Sequence, residues 1–243
     1  MIFHTLYRRS LPLLLTLLVL AGCDSGPSEE GELIIEDLVE GDGDVVAAGD
    51  PVLVSYVGML EDGTVFDASD QHEIPLAFTV GVDQVIEGWD QGLIGMKEGG
   101  TRRLTIPPHL AFGRQGREGF VPGNATVIFE ITVERILDEV YVEDLVVGEG
   151  PGAVAGNQLR VSYVGYLLGE IEFDRAESFT FELGNEGLIQ GWNIGLEGMR
   201  EGGKRMLIVP YNYGYGPLGN GVVPSFAVLT FVVDLIQLTD LSN

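Results

Sequence analysis

Val85-Ile86-Glu87-Gly88-Trp89, followed closely by Gly95-Met96-Lys97-Glu98-Gly99-Gly100, is the stretch on which the reading of this chain turns, because it is written twice. It returns as Leu188-Ile189-Gln190-Gly191-Trp192 and Gly198-Met199-Arg200-Glu201-Gly202-Gly203. Upstream, Val54-Ser55-Tyr56-Val57-Gly58 returns as Val161-Ser162-Tyr163-Val164-Gly165. Downstream, Val121-Pro122 and Phe129 return as Val223-Pro224 and Phe231. Order is kept, and each pair lies about a hundred residues apart, the length of a complete small domain, whereas solenoids repeat every ~20–50 residues. The chain therefore reads as a tandem duplication, with one domain over residues 32–137 and the other over residues 138–243.

Within each copy most segments alternate as half-buried strands do. Val127, Phe129, Ile131 and Val133 share one face, and Ile128, Glu130, Thr132 and Glu134 share the other. Pro51 to Val57 is rich in β-branched and aromatic residues, and Glu61-Asp62-Gly63-Thr64 supplies a hairpin turn. Helical spacing occurs once per copy, at Ile86, Trp89 and Leu93 and again at Ile189, Trp192 and Leu196. The fold class is α+β, with each domain an antiparallel β-sheet wrapped around one short α-helix. Asp138 to Val140 is all that separates the last strand of one copy from the first of the next, so the domains should sit close together.

The beginning of the chain carries a different signal. Arg8 and Arg9 precede an apolar run from Leu11 to Ala21, shorter than the ~20 residues a membrane-spanning helix needs. It fits the apolar region of a secretory signal peptide over residues 1–22. The run ends in Leu20-Ala21-Gly22-Cys23, which resembles a bacterial lipobox, and Cys23 is the only cysteine. The resemblance implies diacylation of Cys23 and a site in the bacterial cell envelope, extracytoplasmic and lipid-anchored to a membrane. Residues 23–31 are polar and read as a flexible tether.

Composition excludes several functions. With 13 basic against 37 acidic residues and a formal net charge of −24, the chain repels phosphate backbones, so no nucleic-acid partner is expected. No second cysteine exists for a disulfide or a thiolate metal site. The histidines beyond the signal are His72 and His109, too few for an imidazole-based metal centre, and no Ser/His/Asp arrangement is visible. Neither metal nor cofactor is expected. His72, in a long loop of the first domain, is expected to be solvated.

Taken together, Val-x-Tyr-x-Gly, Phe-Asp, the Ile-x-Gly-Trp and Gly-Met-x-x-Gly elements, Ala-Phe-Gly or Gly-Tyr-Gly, Val-Pro and a terminal Phe resemble the FKBP-type peptidyl-prolyl cis-trans isomerases. The resemblance covers residues 33–137 and 141–238. It implies proline-containing polypeptide clients and binding of macrolide immunosuppressant ligands. In the first domain it implies Trp89 as the floor under a proline ring, with Tyr56, Phe66, Phe78, Val85, Ile86, Val121 and Phe129 as walls. Asp67 is then the polar group at the edge, accepting from Tyr56 or facing the substrate carbonyl. In the second domain the floor is Trp192, the walls are Tyr163, Phe173, Phe181, Leu188, Ile189, Val223 and Phe231, and Asp174 is the acceptor. Backbone N–H groups at Val85-Ile86 and Leu188-Ile189 are implied to hold the ligand carbonyl.

The copies also differ. Where the family usually has a tyrosine that donates to the substrate carbonyl, the first domain has Phe112 and the second keeps Tyr215. The second domain has a shorter loop after its Phe-Asp pair, with four fewer residues between Asp174 and Phe181 than between Asp67 and Phe78. Both domains are expected to bind prolyl peptides, with different rates and preferences. Three readings of the residues remain open: a folding catalyst for exported proteins, a non-catalytic holding module for prolyl chains, or one active domain with one binding arm.

Overall fold

The computed structural model describes residues 31–241. The signal, Cys23 and nearly all of the tether lie outside the described residues. The first copy contains β1 (Ile34–Val39), β2 (Pro51–Leu60), β3 (Val65–Ala68), β4 (Leu76–Thr79), α1 (Glu87–Gly92), β5 (Thr101–Ile106) and β6 (Val127–Ile136). Its strands form an antiparallel sheet in the order β1-β5-β6-β2-β3, with β4 also on β2. The second copy contains β7 (Tyr141–Val146), β8 (Glu149–Gly152), β9 (Gln158–Leu167), β10 (Ile171–Glu182), α2 (Gln190–Gly195), β11 (Arg200–Glu201), β12 (Lys204–Val209) and β13 (Leu229–Thr239). Its sheet runs β10-β9-β13-β12-β7, and β8 pairs separately with β11. Each domain is thus an antiparallel sheet around one short helix, as its sequence pattern predicts.

Alternation builds these sheets. Along β2, Val52, Val54 and Tyr56 are buried while their neighbours are half-buried, and along β6 the buried set is Val127, Phe129, Ile131 and Val133. The helices are only six residues long, too short to be stable alone, so packing holds them. Close approach to the sheet is permitted by glycine: a Cβ at Gly88 would lie 2.4 Å from Ile106 Cγ2, and one at Gly191 would lie 2.3 Å from Val209 Cγ1. A buried arginine closes the far end of each helix. Arg102 donates to Asp37 and to the carbonyls of Gly92 and Ile94; Arg205 donates to Asp144 and to the carbonyls of Gly195 and Glu197. These bonds satisfy carbonyls that a helix C-terminus leaves open.

The shortened loop of the second domain has a simple structural result. In the first domain, β3 and β4 are separated by residues 69–75, including a 3-10 turn at Ser69–Gln71. In the second, the equivalent chain runs on as the single strand β10, with a register shift between Ala176 and Phe179.

The two domains share packing. Ala77 and Leu137 form one buried cluster with Ile208 and Val228, joined by Leu53 and Tyr141. Thr79 Oγ1 donates to the Phe226 carbonyl at 2.8 Å, and Gln84 Nε2 donates to the Ser225 carbonyl at 3.2 Å. The near-absent linker therefore leads into a contact with its own apolar centre.

Candidate functional site

Helix α1 follows Ile86, which is extended (φ −60°, ψ 144°), and this corner turns Trp89 inward beneath a concave surface. The loop entering the helix is tied down by the buried Asp90, which accepts from the Gly81 N–H at 2.8 Å and the Asp83 N–H at 2.9 Å. In the second domain Asn193 does the same work, accepting from the Gly184 N–H and donating to the Asn185 carbonyl. The sequence reading missed both anchors, although each directly follows its tryptophan.

The tryptophans are held in matching aromatic cradles. Tyr56 lies edge-on to Trp89 at 5.3 Å, Phe129 at 5.1 Å, and Phe78 is tilted against it at 5.7 Å. The corresponding distances around Trp192 are 4.8 Å to Tyr163, 5.4 Å to Phe231 and 5.5 Å to Phe181. Edge-to-face contacts suit the ring quadrupoles and fix the ring planes. The Trp89 indole N–H is buried without a hydrogen-bond partner among the described residues.

Above Trp89 lies a cavity of about 580 Å³ lined by Tyr56, Asp67, Val85, Ile86, Phe112 and Phe129, together with Ser69, His72, Ile74, Pro75, Leu76, Ala77, Gln84 and Arg117. Leu167, Leu168, Gly169, Glu170, Val228 and Thr230 of the second domain complete its lining. Above Trp192 a cavity of about 440 Å³ is lined by Tyr163, Asp174, Leu188, Ile189, Tyr215 and Phe231, with Phe179, Gly187, Gln190 and Gly214.

Several residues expected to be walls lie elsewhere. Phe78 has no exposed surface and supports Trp89 from the core, and Phe181 occupies the same register behind Trp192. Phe66 packs edge-on against Phe112 and Phe129, and Phe173 packs against Phe231. Val121 and Val223 are buried in their respective cores. None of these six lines either of the two cavities. Strand alternation places a residue on the core side of a sheet, but the tryptophan ring decides which of those residues a ligand can reach.

The polar edges differ. Asp67 accepts from Arg117 Nη1 at 2.8 Å and faces His72 Nε2 at 2.9 Å. Tyr56 lies beside the carboxylate as expected; burial first, then the Asp67 charge and a hydrogen bond to Asp67, push its phenol far above the ordinary range. Burial opposes ionisation of Asp67, yet the hydrogen bonds from His72 and Arg117 outweigh it and hold the carboxyl below its usual range. In turn the bond to Asp67 raises the His72 imidazole. His72 is exposed, as expected, and is in addition bonded to the pocket edge through Asp67. In the second domain the expected pair is present, with Tyr163 Oη donating to Asp174 at 2.8 Å. Burial, followed by the Asp174 charge, raises the Tyr215 phenol, so it stays protonated as a donor.

The chemistry open to such a site follows from its composition. Rotation about a peptide bond faces about 18–20 kcal/mol because twisting removes amide resonance. No bond is cleaved, so no nucleophile or proton shuttle is needed. A twisted amide is less dipolar than a planar one, and an aromatic-floored cavity that removes water from the carbonyl favours the twisted state. The Ile86 and Ile189 N–H groups at the helix entrances have no protein acceptor among the described residues, leaving them free to bond a peptide carbonyl.

Comparison with known proteins agrees with this geometry. The family model "FKBP-type peptidyl-prolyl cis-trans isomerase" matches residues 43–134 and 150–236. An "FK506-binding protein" of Neisseria meningitidis serogroup A is 49% identical over 108 residues, covering 44% of this chain and 99% of the relative. Human "Peptidyl-prolyl cis-trans isomerase FKBP9" is 35% identical over 201 residues, which cover 79% of this chain but 35% of that protein. The crystal structure of the three FKBP domains of wheat FKBP73 matches at 26% identity and a TM-score of 0.40, covering 85% of this chain and 94% of that one. With the family model matched twice along its length, the chain belongs to the FKBP-type peptidyl-prolyl cis-trans isomerases.

Proposed function

We propose that this isomerase works outside the cytoplasm, tethered to a bacterial membrane through acylated Cys23, and catalyses X-Pro isomerisation in exported polypeptides as they fold. The anchor rests on one observation, the Leu20-Ala21-Gly22-Cys23 sequence at the end of an apolar run with two preceding arginines. The use of both domains rests on another, the recurrence of a tryptophan floor beside a carboxylate in each. In this reading Trp89 and Trp192 seat the proline ring, and Asp67 and Asp174 order the pocket edges. FK506-type macrolides, which the Neisseria relative is named for binding, compete with prolyl peptides for the same cavities.

The test is expression of the full chain and of Cys23→Ser in a bacterium, followed by membrane fractionation and metabolic labelling with a fatty-acid analogue. The account expects label and membrane retention in the parent chain and neither in the variant. Equal retention without label would refute lipid anchoring while leaving the isomerase assignment intact.

A further inference from the structure

The cavity over Trp89 is not built by the first domain alone. The β9–β10 turn of the second domain reaches across the interface, and Leu167, Leu168, Gly169 and Glu170 lie along the cavity. Leu168 packs against the hydrophobic core of the first domain. Glu170 accepts from the Glu73 N–H at 3.0 Å and the Ile74 N–H at 3.1 Å, and its second oxygen lies 3.7 Å from His72 Nδ1. His72 faces Asp67 with its other nitrogen. A chain of contacts thus runs from the second domain through His72 to the carboxylate at the first domain's pocket edge.

The backbone adds an independent observation. Glu170 sits at φ 60° next to Gly169 at φ 74°. Glycine adopts this left-handed conformation freely, and a glutamate adopts it only at a cost. Such strain persists where the surroundings over-determine it, and here the side chain makes three contacts with the loop that carries His72. Elsewhere the two domains share the buried cluster of Ala77, Leu137, Ile208 and Val228.

We infer that the second domain supplies a wall of the first domain's prolyl site: Glu170 positions the His72–Pro75 loop, and Leu168 extends the cavity to receive an apolar side chain next to the substrate proline. This rests on the isomerase reading of the Trp89 pocket. Its consequence is that the first domain's affinity and sequence preference belong to the two-domain chain.

The chain has two tryptophans, one per cavity, so their indole N–H signals in an NMR spectrum report the two sites separately within the full chain. Tetrapeptides with Leu or Ala before proline would be titrated into the parent chain, Glu170→Gly, Glu170→Gln and Leu168→Ala. Glycine suits the backbone at position 170, so Glu170→Gly removes the contacts without straining the turn. The expected result is about three- to tenfold weaker binding at the Trp89 signal for Glu170→Gly, the equivalent of one or two lost hydrogen bonds. Glu170→Gln, which keeps an acceptor for the two amides, recovers part of the loss. Leu168→Ala reduces the preference for Leu over Ala at that signal about threefold or more. Binding at the Trp192 signal is unchanged in all three. Unaltered Trp89 titrations in Glu170→Gly and Leu168→Ala, equal losses at both tryptophans, or no peptide binding at Trp89 in the parent would overturn the inference. If the parent binds at Trp89 but does not speed exchange, the isomerase reading fails, while the Glu170 and Leu168 effects still decide the wall.

Discussion

Gly88→Ala tests how tightly the catalytic helix is seated. On an exposed helix the change would favour folding by about 0.8–1 kcal/mol, since alanine is the better helix former. Here the new Cβ would stand 2.4 Å from Ile106 Cγ2, 2.9 Å from its Cδ1 and 3.1 Å from its Cγ1. Ile106 has no exposed surface and cannot swing outward, so α1 must move off β5 by roughly an ångström or the core must distort. Overpacking of this kind costs about 1–3 kcal/mol, which outweighs the propensity gain at all but its lower end. The same displacement lifts Trp89 relative to Tyr56 and Phe129, so peptide affinity at the first site should fall with stability. Urea unfolding of the full chain gives the midpoint, and the Trp89 indole signal gives the affinity. Gly191→Ala, facing Val209 at 2.3 Å, should behave in parallel at the second site. An unchanged or higher midpoint with unchanged affinity would refute the argument that glycine is required by close approach.

Arg102→Met removes the donor to Asp37 and to the Gly92 and Ile94 carbonyls, and should destabilise the chain by about 2–4 kcal/mol in urea unfolding; a loss below ~0.5 kcal/mol would contradict the capping role. Tyr215→Phe should slow exchange at the second site by about two- to tenfold, the value of one hydrogen bond, without changing the first; single-site exchange rates decide this. Peptide affinity at the Trp89 pocket should vary with pH. The His72 pKa is raised by Asp67, so its stabilising contact is complete below its ordinary value of 6.5 and is lost as pH rises through the higher native value. The Glu170 pKa is lowered, chiefly by the Ile74 amide, so its contribution is complete above its ordinary 4.5 and is lost as pH falls through the lower native value. With Asp67 also lowered by its bonds to His72 and Arg117, affinity should be greatest between those limits. A His72→Gln chain should lose the decline on the alkaline side, and an unchanged profile would contradict the pairing.

The duplication and the strand faces were legible because each is a local pattern repeated in both copies, whereas the tryptophan floors came from the family resemblance. Legibility ended where partners come from far along the chain. Arg117 reaches Asp67 from 50 residues away, and Glu170 reaches the Glu73 amide from 97 residues away in the other domain. No periodicity encodes either contact. Phe78 and Phe181 were expected as walls from the family resemblance, but they pack against the tryptophan rings and line neither cavity. Phe179 lines the second cavity in the register that Leu76 holds in the first, a substitution visible only once the strands are paired. Four residues shorter than its counterpart in the first domain, the segment after Asp174 runs on as part of β10, and the second cavity has no counterpart to His72, Ile74 and Pro75.

The most direct measurement is cis/trans exchange of a Leu-Pro tetrapeptide followed by NMR, with the full chain, Asp67→Ala, Asp174→Ala and the double variant compared at equal concentration. The account predicts acceleration by the parent chain, partial loss in each single variant, and a rate close to the uncatalysed one in the double variant. Peptide binding at both tryptophans with no acceleration by the parent, or a double variant as fast as the parent, would contradict it.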